Sequence, residues 1–533
     1  MLIPTRFSIT SLLRHCAAFV LLCMAAHAGA SPVTGGTLNF VVTPEPPALV
    51  NLATSAVPVL KVSAKVTEGL LAYDLKLQPV PQLATAWSIS PDGKRYTFTL
   101  RRGVKWHDGA PFTSADVAYS LELLRQVHPR GKSTFAKLVA VRTPTPHQVV
   151  LELSSPAPYL IMAFAASESP IVPRHVYENT DPLSNPNNTA PIGTGPFKFV
   201  KWVRGSHIEY VRNPDYWDKP RPYVDKIVVR LIPDAAGRAI AFENGSVDLG
   251  GDTPVPLGDL ARLKGNPRLA IETAGYQFSA GPSRLEFNLD HPLLGKLAVR
   301  QAIAHALRRD IIKNAVFYGY AEPIYGPIVP GSPFYTAVAS PYPFDLERAN
   351  ALLDGAGLPC RAGGIRFKLT LDPLPIGEPP ARAASYVKSA LARIGIAVTI
   401  RSQDLPAYLK RVYTDRQFDV VLNGISNLFD PGVGMQRLYW SQGFRKGVPF
   451  TNASHFANAE VDRLFEQAAI ETDRAKRLAA FARIEQIVGQ QLPDINLVAP
   501  RQMTLYNRRV HGHSATANGL DGNFADLYLA PAP

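Results

Sequence analysis

The chain has 533 residues, too many for one compact core, so two or three lobes are expected. At 46% hydrophobic and 19% charged it is ordinary globular material, which excludes a disordered chain. The net charge of +13 is scattered, as in Arg101-Arg102 and Arg308-Arg309, with no basic helix or aromatic-interleaved patch. That argues against nucleic-acid binding and for a solvated basic surface.

The N-terminus has the form of an export signal. Arg6 and Arg14 supply positive charge, Cys16 to Ala26 form an apolar run, and Ala26-His27-Ala28 or Ala28-Gly29-Ala30 offers a small-x-small cleavage pattern. The run is too short to span a bilayer, and no later run reaches about 18 apolar residues. Residues 1–30 are therefore expected to be removed, leaving a soluble periplasmic chain. Leu21-Leu22 in front of Cys23 lacks the small residue that a lipid-attachment signal needs. Of three cysteines, Cys16 and Cys23 leave with the segment, and Cys360 alone cannot form an intramolecular disulfide.

Gly36 to Val42 reads as an opening strand ending at the stiff loop Thr43-Pro44-Glu45-Pro46-Pro47, and Leu60 to Leu70 is helix-like. Val80 to Leu124 is the most legible stretch. Tyr96, Phe98 and Leu100 alternate with Arg95, Thr97, Thr99 and Arg101, the period of a strand with one buried face. Pro91-Asp92-Gly93 and His107-Asp108-Gly109 are turns, and Thr113 or Ser114 can cap a helix starting near Ala115 with Asp116 in its first turn. Phe197 to Trp202 and Ile208 to Arg212 predict a hairpin, and Val224 to Leu231 a further strand. Val299, Ile303 and Leu307 have helical spacing. Beyond Gly364 the chain alternates: strand Ile365 to Leu371, helix Ala381 to Ile394, strand Ile396 to Arg401, helix Pro406 to Tyr413, strand Phe418 to Leu422. This βαβαβ pattern implies parallel strands covered by helices. A helix over Arg474 to Gln490 precedes a strand at Ile495 to Val498.

In open α/β sheets, ligands bind outside the carboxyl ends of strands. Pro44 to Asn51, Asp372 to Gly377 and Asn423 to Trp440 occupy such positions. The last is rich in amides and aromatics, the mixture that holds a polar organic ligand. Phe429, Tyr439 and Trp440 are candidate apolar walls, and Asn423, Asn427 and Asp430 candidate polar contacts.

Catalysis has little support. No G-x-S-x-G elbow occurs, and Ser385-x-x-Lys388 falls inside a predicted helix with no Lys-Thr-Gly partner. His107-Asp108 is explained by its turn, and Gly193-x-Gly195 lacks the third glycine of a dinucleotide fingerprint. His511-Gly512-His513 would share a face on an extended segment and suits a metal chelate as a rival ligand, but no Cys or carboxylate cluster accompanies it. Arg300 is expected to pair with a local acid. No cofactor is implied.

Several of these stretches resemble the extracellular solute-binding proteins of the peptide/nickel ABC-importer family. They are the Val80 to Leu124 unit, Gly193-Thr194-Gly195-Pro196-Phe197, Asn213-Pro214-Asp215-Tyr216-Trp217, Phe287-Asn288, Val299 to Ile303 and Leu346-Glu347-Arg348-Ala349. They come in the family's order over nearly the whole mature chain. The resemblance implies an α/β, bilobed periplasmic binding protein fold (type II) in its three-domain form. One lobe would take residues 31–72, 191–284 and 501–533, an inserted domain 73–190, and the second lobe 285–500. It further implies a monomeric, non-enzymatic receptor that closes on a peptide or peptide-like solute and delivers it to a membrane permease, with Glu45 and Asn51 closing from the opposite lobe. Peptide-binding members typically carry an acid within the stretch that corresponds to Gly424 to Pro431, where it pairs with the ligand's amino group. Here Asn427 and Leu428 stand in its place. Loss of that acid removes a bond of roughly 1.5–3 kcal/mol to an ammonium group, which argues against a free-amine dipeptide. Longer or modified peptides, opine-like conjugates or another amphiphilic solute stay open.

Overall fold

A computed structural model describes residues 32–277, 280–337, 342–361 and 363–531. The export segment expected over 1–30, with Cys16 and Cys23, lies outside them. The opening strand, Thr37–Val42, is the centre of a seven-stranded sheet. It runs parallel to Lys226–Leu231, in register from Thr37 opposite Lys226 to Val42 opposite Leu231, and parallel to Leu249–Gly250. Beyond Lys226–Leu231 lies the predicted hairpin, Phe197–Val203 with His207–Arg212; beyond Leu249–Gly250 lie Thr504–Asn507 and then Leu269–Glu272. Leu38 and Phe40 are fully buried, as the alternation requires.

The predicted βαβαβ run forms half of a six-stranded sheet. Phe367–Pro373 pairs in parallel with Ile396–Ile400 on one side and Val420–Gly424 on the other. The intervening helix Pro379–Ala392 lays Ala383, Val387, Ala390 and Leu391 against it. The other half is antiparallel: Ser283–Phe287 pairs with Val420–Gly424 and with Asp494–Pro500, which also pairs with Ala321–Pro323. The chain passes between the two large sheets twice, over residues 273–282 and 501–503. The strands joined by one crossing pair with the strands joined by the other, so the ends of the two crossings lie side by side.

A third sheet, antiparallel and four-stranded, has the order Ala84–Ile89, Arg95–Leu100, Gln148–Leu153, Leu138–Thr145. Tyr96, Phe98 and Leu100 point inward, at 2%, 0% and 2% exposure. The helix Ser114–Val127 covers this face with Val117, Leu121 and Leu124, the spacing of one helical stripe. Thr113 is its N-cap, and Asp116 accepts from the Thr113 N–H at 2.9 Å, closing a capping box.

This sheet is joined to the seven-stranded one around Glu68, which is fully buried. Its carboxyl accepts from Tyr216 Oη at 2.9 Å, Trp217 Nε1 at 3.0 Å, Thr194 Oγ1 at 2.9 Å and Gln82 Nε2 at 3.4 Å. Burial pushes it up to about 7, against those four bonds.

Two expectations are corrected. The helix near Leu60 to Leu70 is Val57–Ser63, started by Pro58; the chain then turns so that Glu68 reaches its cluster and Leu71–Tyr73 pairs with Pro79–Pro81. Among the described residues Arg300 takes no acid. It donates to the Leu294, Gly295 and Gln491 carbonyls at 2.5, 3.0 and 2.7 Å, the last an acceptor at the end of the helix Arg474–Gln491. The hairpin at 138–153 and the helix Ala459–Ile470 are elements the pattern did not announce.

Candidate functional site

Where the crossings pass between the sheets there is a cavity of about 300 Å³. The first crossing lines it with Thr273, Tyr276, Gln277, Ala280 and Gly281, the second with Arg501 and Gln502, and the end of the strand Asp494–Pro500 with Ala499 and Pro500. The remaining wall comes from Val329 to Pro333, Asn427 to Phe429, and Leu77 from the opposite side. Its polar groups are mostly neutral. Glu322 and Arg501, the charged residues of the lining, form an ion pair with each other at an exposed edge.

Asn427 holds this wall together. Its N–H donates to the Ala280 carbonyl at 2.9 Å, Oδ1 accepts from Val329 N–H at 2.9 Å, and Nδ2 donates to the Pro327 carbonyl at 2.8 Å. One side chain thus ties the strand-end loop to the 327–333 loop, while its backbone holds the first crossing. Leu428 follows at φ 55°, a left-handed conformation that costs an ordinary residue roughly 1–2 kcal/mol; its N–H is held by Ser426 Oγ at 3.0 Å. The turn throws Phe429 across the gap. At 2% exposure, Phe429 packs in the same apolar cluster as Leu52, Tyr73 and Leu77.

Of the residues expected at a site, Asn427 and Phe429 line the cavity, and six others lie elsewhere. Asn423 accepts from Arg284 Nε and donates to Glu286, both at 2.9 Å, within a fully buried network. There Arg284 also reaches Glu286 at 2.8 Å and Asp494 at 2.6 Å, and Tyr439 Oη donates to Asp494 at 2.6 Å. Burial raises both acids, and Arg284 opposes that rise. Asp430 caps the turn at Gly432 N–H, 2.8 Å, and pairs with Arg477 at 2.9 Å. Trp440 is half-buried against the core built on the helices Ala459–Ile470 and Arg474–Gln491, and its ring nitrogen has no partner among the described residues. Glu45 accepts from Trp202 Nε1 and Gly205 N–H, both at 3.0 Å, pinning the outer hairpin. Asn51 donates to the Ala166 and Ser167 carbonyls at 2.9 and 3.1 Å. Apart from the Trp440 ring nitrogen, the polar groups of these six residues already have protein partners.

Sequence reasoning missed both crossings and the 329–333 wall. The crossings carry no hydrophobic period. The wall left one readable signal, the stiff Pro327-Ile328-Val329-Pro330-Gly331-Ser332-Pro333 run.

One charge beside this loop stands apart. Arg437 donates from Nε to the Gly434 carbonyl at 3.1 Å and from Nη2 to the Ser426 carbonyl at 3.3 Å. Burial, and then the like charges of Arg130 and Arg284, push it down to about 10. His511 and His513 do not share a face: Gly512 turns between them at φ 69°. His511 is exposed and stacked on Tyr528, while His513 is buried beside Glu272 at 2.8 Å. Among the described residues no three metal-ligating side chains gather, and no helix is long and apolar enough to cross a membrane.

Residues 78–446 match the sequence profile described as bacterial extracellular solute-binding proteins, family 5 middle. A putative ABC transporter peptide-binding protein of Brucella ovis is 31% identical over 447 residues, covering 80% of each chain. The oligopeptide-binding protein AppA of Bacillus subtilis, solved with a nonapeptide, superposes with a TM-score of 0.80 at 25% identity over 94% of this chain and 100% of that one. The binding protein AgaA of A. tumefaciens R10, solved with agropinic acid, gives 0.76 at 29% identity over 93% of this chain and 99% of that one.

Proposed function

Because the chain belongs to the bacterial extracellular solute-binding proteins of family 5, non-enzymatic receptors of ABC transporters, we propose that it captures short peptides or peptide-like solutes in the cavity between its two large sheets and delivers them to a membrane permease. The observation that carries this reading is that cavity. It lies where both crossings meet the Asn427 to Phe429 loop, so a solute there touches both sides of the hinge. At about 300 Å³ it holds the share of roughly ten waters at about 30 Å³ each, the low end for organic ligands. Leu77, Val329, Leu428 and Phe429 supply apolar wall, and Thr273, Gln277 and Ser332 supply neutral polar groups. That mixture suits side chains and amides more than bare ions. Asn427, with its amide engaged, offers no anion to a free amine, and the kinship with a receptor of agropinic acid supports modified or conjugated solutes.

The mechanism is hinge closure: a solute that contacts both sides binds the closed form better, and that difference in affinity shifts the population. The lobes of this motion are residues 31–72, 191–284 and 501–533 against 285–500, with 73–190 carried as an insert. Removal of residues 1–30 leaves the receptor in the periplasm.

Native mass spectrometry of protein purified from its own periplasm tests the reading. A co-released amide-containing solute is expected. Ser332→Trp, which fills the cavity from a half-buried position, should lose the solute without losing the fold. Retention of the solute by Ser332→Trp would move the site elsewhere, and a solute without amide bonds would end the peptide-like reading.

A further inference from the structure

The loop from Pro327 to Thr336, which walls the cavity, is fastened on two sides. From the strand-end loop, Asn427 holds the Val329 N–H and the Pro327 carbonyl. From the other side Glu485, on the helix Arg474–Gln491, takes both ends of the wall. One carboxyl oxygen accepts from Ile328 N–H at 3.1 Å, and the other meets the Thr336 hydroxyl at 2.6 Å. Between these bonds lie Val329 to Pro333, which line the cavity, and Phe334, whose ring packs edge-on against Phe481 one turn before Glu485.

Glu485 is fully buried, and no ionisable side chain among the described residues bears on it. Its helix neighbours Phe481, Ile484 and Val488 are apolar. The loop it holds carries no charge, and Tyr335, its one ionisable side chain, is exposed. The charges of adjoining elements answer one another, Arg477 with Asp430 and Arg483 with Glu460, at 2.9 and 2.8 Å. A carboxylate here loses its hydration and gains no counter-charge, so burial favours the neutral acid and pushes Glu485 up to about 7. The neutral acid also suits both contacts: its carbonyl oxygen accepts from Ile328 N–H while its hydroxyl donates to Thr336 Oγ1.

We propose that Glu485 is a positioning residue whose proton fastens this wall, so that the cavity keeps its shape at acid pH and its wall slackens as pH rises. Lifting the loop returns the carboxyl to water, where it ionises in its ordinary range. The fastened wall therefore holds a proton that the lifted wall releases. A solute that needs the fastened wall binds with uptake of that proton, and its hold weakens as pH rises. This last step rests on the receptor reading above; the fastening does not.

Amide hydrogen exchange of the peptide over residues 327–337, corrected for the intrinsic pH dependence of exchange, follows the wall in solute-stripped protein. Between about pH 5.5 and 7.5 its protection is expected to fall about tenfold in wild type. It should stay level in Glu485→Gln, whose amide is neutral throughout, accepts from Ile328 and donates to Thr336. Thr336→Val keeps the acid but removes the hydroxyl it meets, and should lose protection already at the lower pH. Level protection in wild type, a wild-type fall in Glu485→Gln, or full protection at the lower pH in Thr336→Val overturns the proposal. Protein carrying the solute that co-purifies from the periplasm is also dialysed at both pH values and read by native mass spectrometry. Occupancy should drop at the higher pH in wild type and hold in Glu485→Gln. Should protection follow pH while occupancy does not, the cavity reading fails and the fastening by Glu485 stands.

Discussion

Asn427 engages both ends of its amide with main-chain groups, accepting from Val329 and donating to Pro327. Asn427→Asp would set a carboxylate 2.8 Å from a carbonyl it cannot donate to. The expected outcome is a loss of about 1–3 kcal/mol in urea unfolding, with weaker solute retention as the Leu428 turn loosens; an unchanged midpoint would mean that the amide holds nothing. Position along the chain singled out this residue correctly as part of a strand-end loop, but partners could not be read there. Asn423, Asp430 and Tyr439 carry the same kinds of polar group in the same segment, yet Arg284, Arg477 and Asp494 claim them from 47 to 139 residues away. Residue type announces that a hydrogen bond will be made; the fold decides with what.

Elements were legible where one period ran unbroken. The strand Arg95–Leu100, the helix Ser114–Val127 and the parallel run from Phe367–Pro373 to Val420–Gly424 follow from alternation, caps and spacing. Thr113→Ala should therefore remove about 1 kcal/mol by breaking the capping box, seen as a lower thermal midpoint at unchanged helix content; no shift would show that the Asp116 bond alone suffices. The family-like stretches were legible for another reason. Thr194, Tyr216 and Trp217 within them converge on Glu68, and Gly193 and Gly195 lie against the Val66 carbonyl with no room for a Cβ. The crossings were silent because ten and three residues without a repeat leave no pattern, although they build the cavity.

Across the whole molecule, buried titratable groups set opposing pH slopes. Burial brings Glu68 and Glu485 to about 7 from 4.5, so the folded chain holds protons that the unfolded chain releases, and each lowers stability as pH rises from 4.5 to 7. Burial takes His107 and His128 to about 4 from 6.5, so each lowers stability as pH falls from 6.5 to 4. The two pairs oppose each other over the shared window. Glu68→Gln removes one slope, so its stability relative to wild type should climb with pH by about 3 kcal/mol between 4.5 and 7. Urea midpoints at several pH values measure this, and a constant difference would show that Glu68 titrates in its ordinary range.

The strand order of the two large sheets also has a bearing on biogenesis. Every strand of the six-stranded sheet lies between residues 283 and 500, whereas the seven-stranded sheet begins at Thr37 and needs Thr504–Asn507 to join Leu269–Glu272 to the rest. A chain made from its N-terminus therefore has six of these seven strands before the other sheet begins, five of them able to pair side by side, and inserts the seventh, Thr504–Asn507, last. The open edge at Leu249–Gly250, rather than the earliest strands, is therefore what must be kept from pairing wrongly until Thr504–Asn507 emerges near the end of the chain.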